Sequence, residues 1–165
     1  MANGIFLLFV LVALVNGLSL GPQRQFWSLA ALAASTYLTG NAYTAFVPLI
    51  RPFIESESGT RLASFLIVFF VLGAVLNVVI DALVDHRLHR RNELTAGGRL
   101  AGGLLGVLYA VSVTQVLASV ILIYPVLRWE RWILEADMFV KIFKEWPYML
   151  PLLPDSFSQV LEMLP

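Results

Sequence analysis

The residues of this sequence that could do chemistry are a few polar side chains inside long apolar segments. Asn77 and Asp81 lie one helical turn apart in one segment, while Gln115, Thr36 and Thr39 lie in two others. Polar groups are costly in a membrane, so these side chains should face the protein interior or water. They could line a hydrated path for a solute, together with Asn16, Tyr43, Thr114 and Ser119. The alternative is hydrogen bonding between helices, worth about 1–2 kcal/mol or less per bond in a membrane.

Asp81 is the one carboxylate that could lie inside the membrane. It is displaced from the middle of its apolar segment by about 12 Å along a helix axis, which places it near the interface. Ionisation costs little there, so we expect Asp81 to be solvated or paired with an arginine rather than to couple proton movement.

A second polar group follows Asp81 along the chain. Two histidines and two acids have spacings compatible with a metal site: His86, His89, Asp85 and Glu93. Three arginines stand among them and would repel a cation: Arg87, Arg90 and Arg91. One helix face also rarely completes a metal site. We therefore interpret this segment as a basic helix end that contacts anionic lipid headgroups, and predict no metal.

The sequence lacks the groups that membrane enzymes use. It has no cysteine, both histidines flank the apolar segments, and Asp81 and Asp85 fall on one helix rather than on facing helices. Phosphate-cradling loops and cofactor motifs are absent. We predict no catalytic residue, no cofactor and no enzymatic activity.

Small residues recur where helices could pack closely. Gly98, Gly102 and Gly106 are spaced by four residues and followed by Ala110, and Gly73 begins a similar stripe with Asn77 and Asp81. Such faces let two helix backbones approach each other. The partner helix could belong to the same chain or to a second copy in a homo-oligomer.

Four stretches without a charged residue must position these groups. They cover residues 1–20, 26–50, 62–80 and 100–127 of a chain that is 59% hydrophobic and 13% charged. About 20 apolar residues are enough to cross a bilayer as a helix. The sequence predicts an all-α membrane protein with a bundle of four transmembrane helices over residues 1–127. The second helix should end near Pro48, and Ser58 or Thr60 should cap the third.

Residues 128–165 form a second region, a proline-punctuated tail. Apolar residues recur every three or four positions over 128–146, with charges between them. This pattern predicts an amphipathic helix lying in the membrane interface, with Trp129 and Trp132 at headgroup level. Pro147, Pro151 and Pro154 should keep the following segment extended.

Charge also bears on partners and orientation. The formal net charge is zero, which gives no indication of nucleic-acid binding. The densest basic cluster lies between the third and fourth stretches, and basic loops favour the cytoplasm. We therefore expect both termini outside the cytoplasm.

The entry to the fourth stretch resembles the colicin V production protein family. The run 98–106, GRLAGGLLG, is similar to the family's arginine and spaced glycines at its last transmembrane helix. The turn 17–24, the polar Asn77 and the prolines near the C-terminus also resemble the family. Two positions depart from it: Gly98 stands where Asp or Asn is common, and Tyr109-Ala110 where Arg-Gly is common.

The resemblance implies a multi-pass protein of the bacterial inner membrane that supports colicin V production or export, with links to envelope integrity and biofilm growth. The hypothesis we favour is a non-enzymatic protein that acts in this way by binding another membrane protein or itself. The alternative is a small transporter or channel with a polar path between its helices. A third option is a lipid-sensing anchor that uses Arg87, Arg90 and Arg91.

Overall fold

The computed structural model describes residues 2–88, 95–126, 129–157 and 159–164. This part of the chain is helical and has no β-strand. Four long helices come first: α1 (Ala2–Leu20), α2 (Pro22–Ile50), α3 (Glu57–Leu88) and α4 (Ala96–Ile123). Three short helices follow: α5 (Trp129–Leu134), α6 (Asp137–Glu145) and α7 (Val160–Met163). Short 3₁₀ turns cover Arg51–Phe53, Leu150–Leu152 and Asp155–Phe157. The predicted all-α class is confirmed for the described residues.

Three of the four long helices are apolar and long enough to cross a membrane. They are α1 over Asn3–Leu20, α3 over Glu57–Ala82 and α4 over its full length. α2 is long enough at 29 residues, but its serines, threonines and amides dilute its apolar character. By length and composition, three helices of the described chain are therefore suited to span a membrane.

The helices lie in the order α1, α4, α2, α3 across the molecule. α1 packs along α4, and α2 packs against both α4 and α3. A single residue, Gly21, joins α1 to α2, and its φ of 80° is a left-handed conformation that glycine adopts without strain. The chain therefore reverses at once, and α2 returns beside its neighbours in the opposite direction.

Three helix boundaries differ from the sequence prediction. α2 continues through Pro48 to Ile50, since a proline one turn from the helix end removes only one hydrogen bond there. α3 begins at Glu57, and the cap is Ser56, whose Oγ accepts from the Gly59 backbone N–H at 3.3 Å. α4 ends at Ile123, short of the predicted residue 127, because Tyr124 leaves helical geometry just before Pro125.

The tail does not form the single predicted interfacial helix. It breaks at Glu135 and Ala136 into α5 and α6, and the apolar face of α6 packs against the protein itself. Phe139 and Phe143 are buried, and the Phe139 ring meets the Phe6 ring of α1 edge to face at 5.7 Å. Neighbouring apolar helices cover this face, so it is not left for the membrane.

Beyond α6 the chain turns back along the bundle. Tyr148 lies beside Leu108 near the middle of α4, with its hydroxyl oxygen 3.3 Å from the Leu108 carbonyl oxygen. The chain then passes α2 and reaches Phe157, which is fully buried against Phe65 and Tyr124. The predicted extended stretch is thus a folded segment with buried side chains, at Met149 and Leu153. Irregular backbone is tolerated at membrane depth only under such cover.

Candidate functional site

The predicted small-residue face of α4 packs against α1. A Cβ atom on Gly102 would come 2.9 Å from the Gly21 Cα, and one on Gly106 would meet the Ala13 carbonyl group. Gly17 lies opposite Gly102 with equally little room. The backbones of the two helices therefore touch, and a side chain at either α4 glycine would force them apart.

The other predicted packing residues have different surroundings. Ala110 is fully buried. Gly98 lies in the first turn of α4, where its N–H donates to Thr95 Oγ1 at 3.2 Å and caps the helix. A Cβ on Gly73 would meet no atom of the described part of the chain within 4 Å, so this glycine has open space beside it there.

The α1 side of this contact was missed in the sequence. Ala13, Gly17 and Gly21 recur at intervals of four residues, the same spacing as the glycines of α4. This four-residue spacing could have identified α1 as the helix that packs against α4.

A polar cavity lies between α1 and α3, with α2 and α4 as its floor. Its volume is about 330 Å³. We call it the Arg24 cleft. Its polar lining comes from four helices: Asn16, Arg24, Gln25, Ser28, Asn77 and Tyr109. Phe9 and Val12 of α1 add apolar surface.

Arg24 of this cleft forms an ion pair with Asp81. Arg24 Nη2, in the first turn of α2, lies 2.9 Å from Asp81 Oδ1 on α3. The two side chains are 40% and 48% exposed. Asp81 was expected to be either solvated or paired with an arginine, and in the structure it is paired with an arginine. One turn earlier, Asn77 Nδ2 donates to the Gly73 carbonyl oxygen at 2.8 Å.

The remaining residues of the predicted polar path lie elsewhere. Thr36 Oγ1 donates to the Leu32 carbonyl of its own helix at 2.8 Å, and Thr39 is fully buried on the same face of α2. Gln115 Nε2 donates to the Trp146 carbonyl of the tail at 2.7 Å. Among the described residues, neither the Thr39 hydroxyl nor the Gln115 Oε1 has a hydrogen-bond partner. The structure therefore divides the five predicted residues between the Arg24 cleft and the buried α2–α4 face.

The tail covers this buried face of α2 and α4. The Tyr148 hydroxyl oxygen lies 3.1 Å from Ser112 Oγ of α4. On the α2 side, a Cβ on Gly40 would come 2.8 Å from Pro154 Cδ, so the tail sits directly on the helix backbone. Close to the end of α4, the Tyr43 and Tyr124 hydroxyl oxygens are 2.8 Å apart in a buried pair.

The residues predicted to meet lipid headgroups are only partly described. Arg90 and Arg91 lie outside the described residues, as does the side chain of Arg87 on α3. Trp129 and Trp132 on α5 are 48% and 59% exposed. Their rings are open to the surroundings, and their position at headgroup level stays a prediction.

A family model described as "Colicin V production protein" matches residues 2–145, nearly nine-tenths of the chain. This chain belongs to the colicin V production protein family. None of the curated proteins and none of the solved structures matches it.

The range matched by the colicin V production protein family includes the helices that form the Arg24 cleft and the buried α2–α4 face. The match includes α1 to α6, and with them the Arg24 cleft and the α1–α4 glycine contact. The segment that lies over Gly40 and approaches Ser112 comes after residue 145, beyond the matched range. Three apolar helices in a chain of this family fit a location in a membrane.

Proposed function

We propose that this protein crosses the bacterial inner membrane four times, with α2 as the fourth span. Its 29 residues extend about 43 Å, more than the hydrocarbon thickness of about 30 Å. Its polar residues Ser35, Thr36 and Thr39 are buried, while Leu38 and Leu49 are exposed. A helix with its polar face covered by α3 and α4 and its apolar face outward suits a lipid surrounding.

With four spans, both ends of the bundle lie on the same side of the membrane. The contact of Phe6, near the start of α1, with Phe139 of the tail supports this arrangement. The proposal keeps both termini outside the cytoplasm, on the basis of the basic cluster between α3 and α4.

The function proposed is non-enzymatic support of toxin or peptide production or export, and of envelope maintenance, through binding to another membrane protein or to itself. One observation carries it: the buried serine hydroxyls of α2 and α4 donate hydrogen bonds within their own helices instead of lining a path. Ser35, Ser112 and Ser119 donate to carbonyls of their own helices, at 2.9, 2.7 and 2.7 Å. The tail then covers α2 and α4, which suits an association role better than conduction.

Association needs a surface that the chain does not use internally. Gly102 and Gly106 of α4 are in contact with α1, whereas Gly73 of α3 has open space and the apolar residues Phe70 and Val71 near it are exposed. A small residue between exposed apolar side chains lets a second helix approach closely in a membrane. This outer face of α3 is the surface proposed to bind the partner.

The test is affinity capture of the tagged protein from native membranes in lipid nanodiscs, with export of a colicin V-type toxin measured in the same strains. A Cβ at position 73 meets no described atom within 4 Å, so Gly73→Leu should leave the fold intact while capture and export both fall. Gly4→Leu is the matched control, since a Cβ on Gly4 of α1 also meets no atom within 4 Å among the residues that the structure describes. Normal capture and export by Gly73→Leu would exclude this face as the binding surface.

A small transporter is the second candidate, and the Arg24 cleft is the observation in its favour. Purified protein in vesicles should then move a polar solute, and Asn77→Leu should abolish the flux because Asn77 lines the cleft. The control is Asn41→Leu, an exposed amide that donates to its own helix at Tyr37. Absence of flux across a broad panel of solutes would rule the transporter out.

A further inference from the structure

Arg24 lines the Arg24 cleft, and Asp81 lies next to it as the ion-pair partner of that guanidinium. We propose that the cleft binds one phospholipid with a zwitterionic headgroup, whose phosphate lies at Arg24 and whose ammonium group lies at Asp81. This proposal does not depend on the export role, because it concerns the bilayer and not a protein partner.

The charges of the cleft suit a ligand that carries both signs. Arg24 and Asp81 are each about half exposed, so neither charge is sealed inside the protein. A guanidinium has several N–H donors and favours phosphate geometry, and its single bond to Asp81 leaves donors for a second acceptor. A purely anionic headgroup would be repelled by the Asp81 carboxylate, whereas an ammonium group would be attracted to it.

The start of α2 strengthens the phosphate end. Arg24 lies in the first turn of this helix, where the helix dipole is positive and favours a nearby anion. Asn16 and Ser28 line the same cavity and offer hydrogen bonds to the polar ester region of a lipid.

The cleft changes from polar to apolar along its length, as a lipid does. Asn16 lies near the end of α1 beside Arg24, and Phe9 lies two turns away along the helix, about 10 Å deeper. Phe9 and Val12 are 40% and 58% exposed, so the cleft is open on the side of the bundle. When α1 and α3 cross a membrane this opening faces lipid, and a ligand enters from the bilayer.

Native mass spectrometry of the delipidated protein tests the proposal directly. Phosphatidylethanolamine and phosphatidylglycerol with identical acyl chains are titrated separately, and the wild type should prefer phosphatidylethanolamine. Arg24→Gln should weaken that binding about tenfold, the loss expected for one charge-assisted hydrogen bond. Asp81→Asn should remove the preference between the two lipids. Arg51→Gln, which removes an exposed arginine just beyond the other end of α2, should change neither affinity.

Two further arms separate the proposal from its alternatives. Exchanging the charges with Arg24→Asp and Asp81→Arg together keeps an ion pair between α2 and α3 but moves the cation away from the start of α2, so binding of phosphatidylethanolamine should fall below that of the wild type. Water-soluble glycerophosphoethanolamine lacks acyl chains and should fail to compete at equal concentration. Equal binding of both lipids by the wild type, unchanged binding by Arg24→Gln, or full competition by the soluble headgroup would each overturn the assignment.

Discussion

The side-chain amide of Gln115 donates a hydrogen bond to the backbone carbonyl of Trp146 at 2.7 Å. Gln115 is 1% exposed and lies within α4, whereas Trp146 is the residue at which the tail leaves α6. The Trp146 carbonyl lies in a partly buried, irregular segment, and a side chain of α4 supplies its hydrogen-bond donor. This bond fixes where the tail turns back along the bundle.

Replacing Gln115 by Leu should loosen the tail. The substitution removes the hydrogen bond to the partly buried Trp146 carbonyl, at a cost of about 0.5–1.5 kcal/mol. We expect faster proteolysis between α6 and α7 and a lower melting temperature, while α1 to α4 stay helical by circular dichroism. Asn41→Leu removes an exposed amide that bonds within α2 and serves as the control. Equal proteolysis of the two variants would show that the Gln115 bond does not hold the tail.

Replacing Gly106 by Leu should separate α1 from α4. The new side chain would meet the Ala13 carbonyl of α1, and backbone cannot yield as a flexible side chain can. Such overpacking typically costs about 1–3 kcal/mol or more. The melting temperature should therefore fall in detergent at every protein concentration, since the contact lies within one chain. Gly73→Leu, with open space at its Cβ, should leave it unchanged. A loss that diminishes as concentration rises would instead place the contact between copies.

Much of the helical layout could be predicted from residue patterns. The ends of α1 and the span of α3 follow from uncharged apolar stretches, which have few other stable forms in a membrane. The fold of the tail could not be predicted in this way. The pattern around Phe139 and Phe143 reports an apolar face but not what covers it. In the structure that cover is α1 and α4 rather than the membrane.

In the candidate site, the residues that share a helix face could be predicted, but the contacts between helices could not. Asn77 and Asp81 share a helix face because they are four residues apart, and both belong to the region of the Arg24 cleft. Arg24 could not be assigned to it, because its pairing with Asp81 depends on how α2 packs against α3. Gln115 was grouped with Asn77 because both are polar, a property that does not encode depth or position around a bundle.

The Arg24–Asp81 pair should contribute little to stability. Both side chains are about half exposed, and such pairs are worth about 0.2–1 kcal/mol in double-mutant cycles. Arg24→Gln and Asp81→Asn should therefore each lower the melting temperature only slightly, with a small coupling that weakens as salt is added. A double-mutant cycle of thermal unfolding at low and high salt measures this. A large, salt-insensitive coupling would show that the pair is a buried structural contact.

The Tyr43–Tyr124 pair should contribute more to stability than the Arg24–Asp81 pair, because both tyrosines are more than nine-tenths buried. Tyr124→Phe leaves the buried Tyr43 hydroxyl without its partner, at a cost of about 1–3 kcal/mol. Tyr43→Phe should cost less, because the Tyr124 hydroxyl also bonds with the Arg61 guanidinium. The double variant removes both hydroxyls while keeping both rings, so it should be more stable than Tyr124→Phe. Thermal unfolding of the four proteins measures the coupling, and Tyr37→Phe, at an exposed position of α2, is the control. Additive losses in the double variant would contradict the pairing, because they would mean that each hydroxyl bonds to something else.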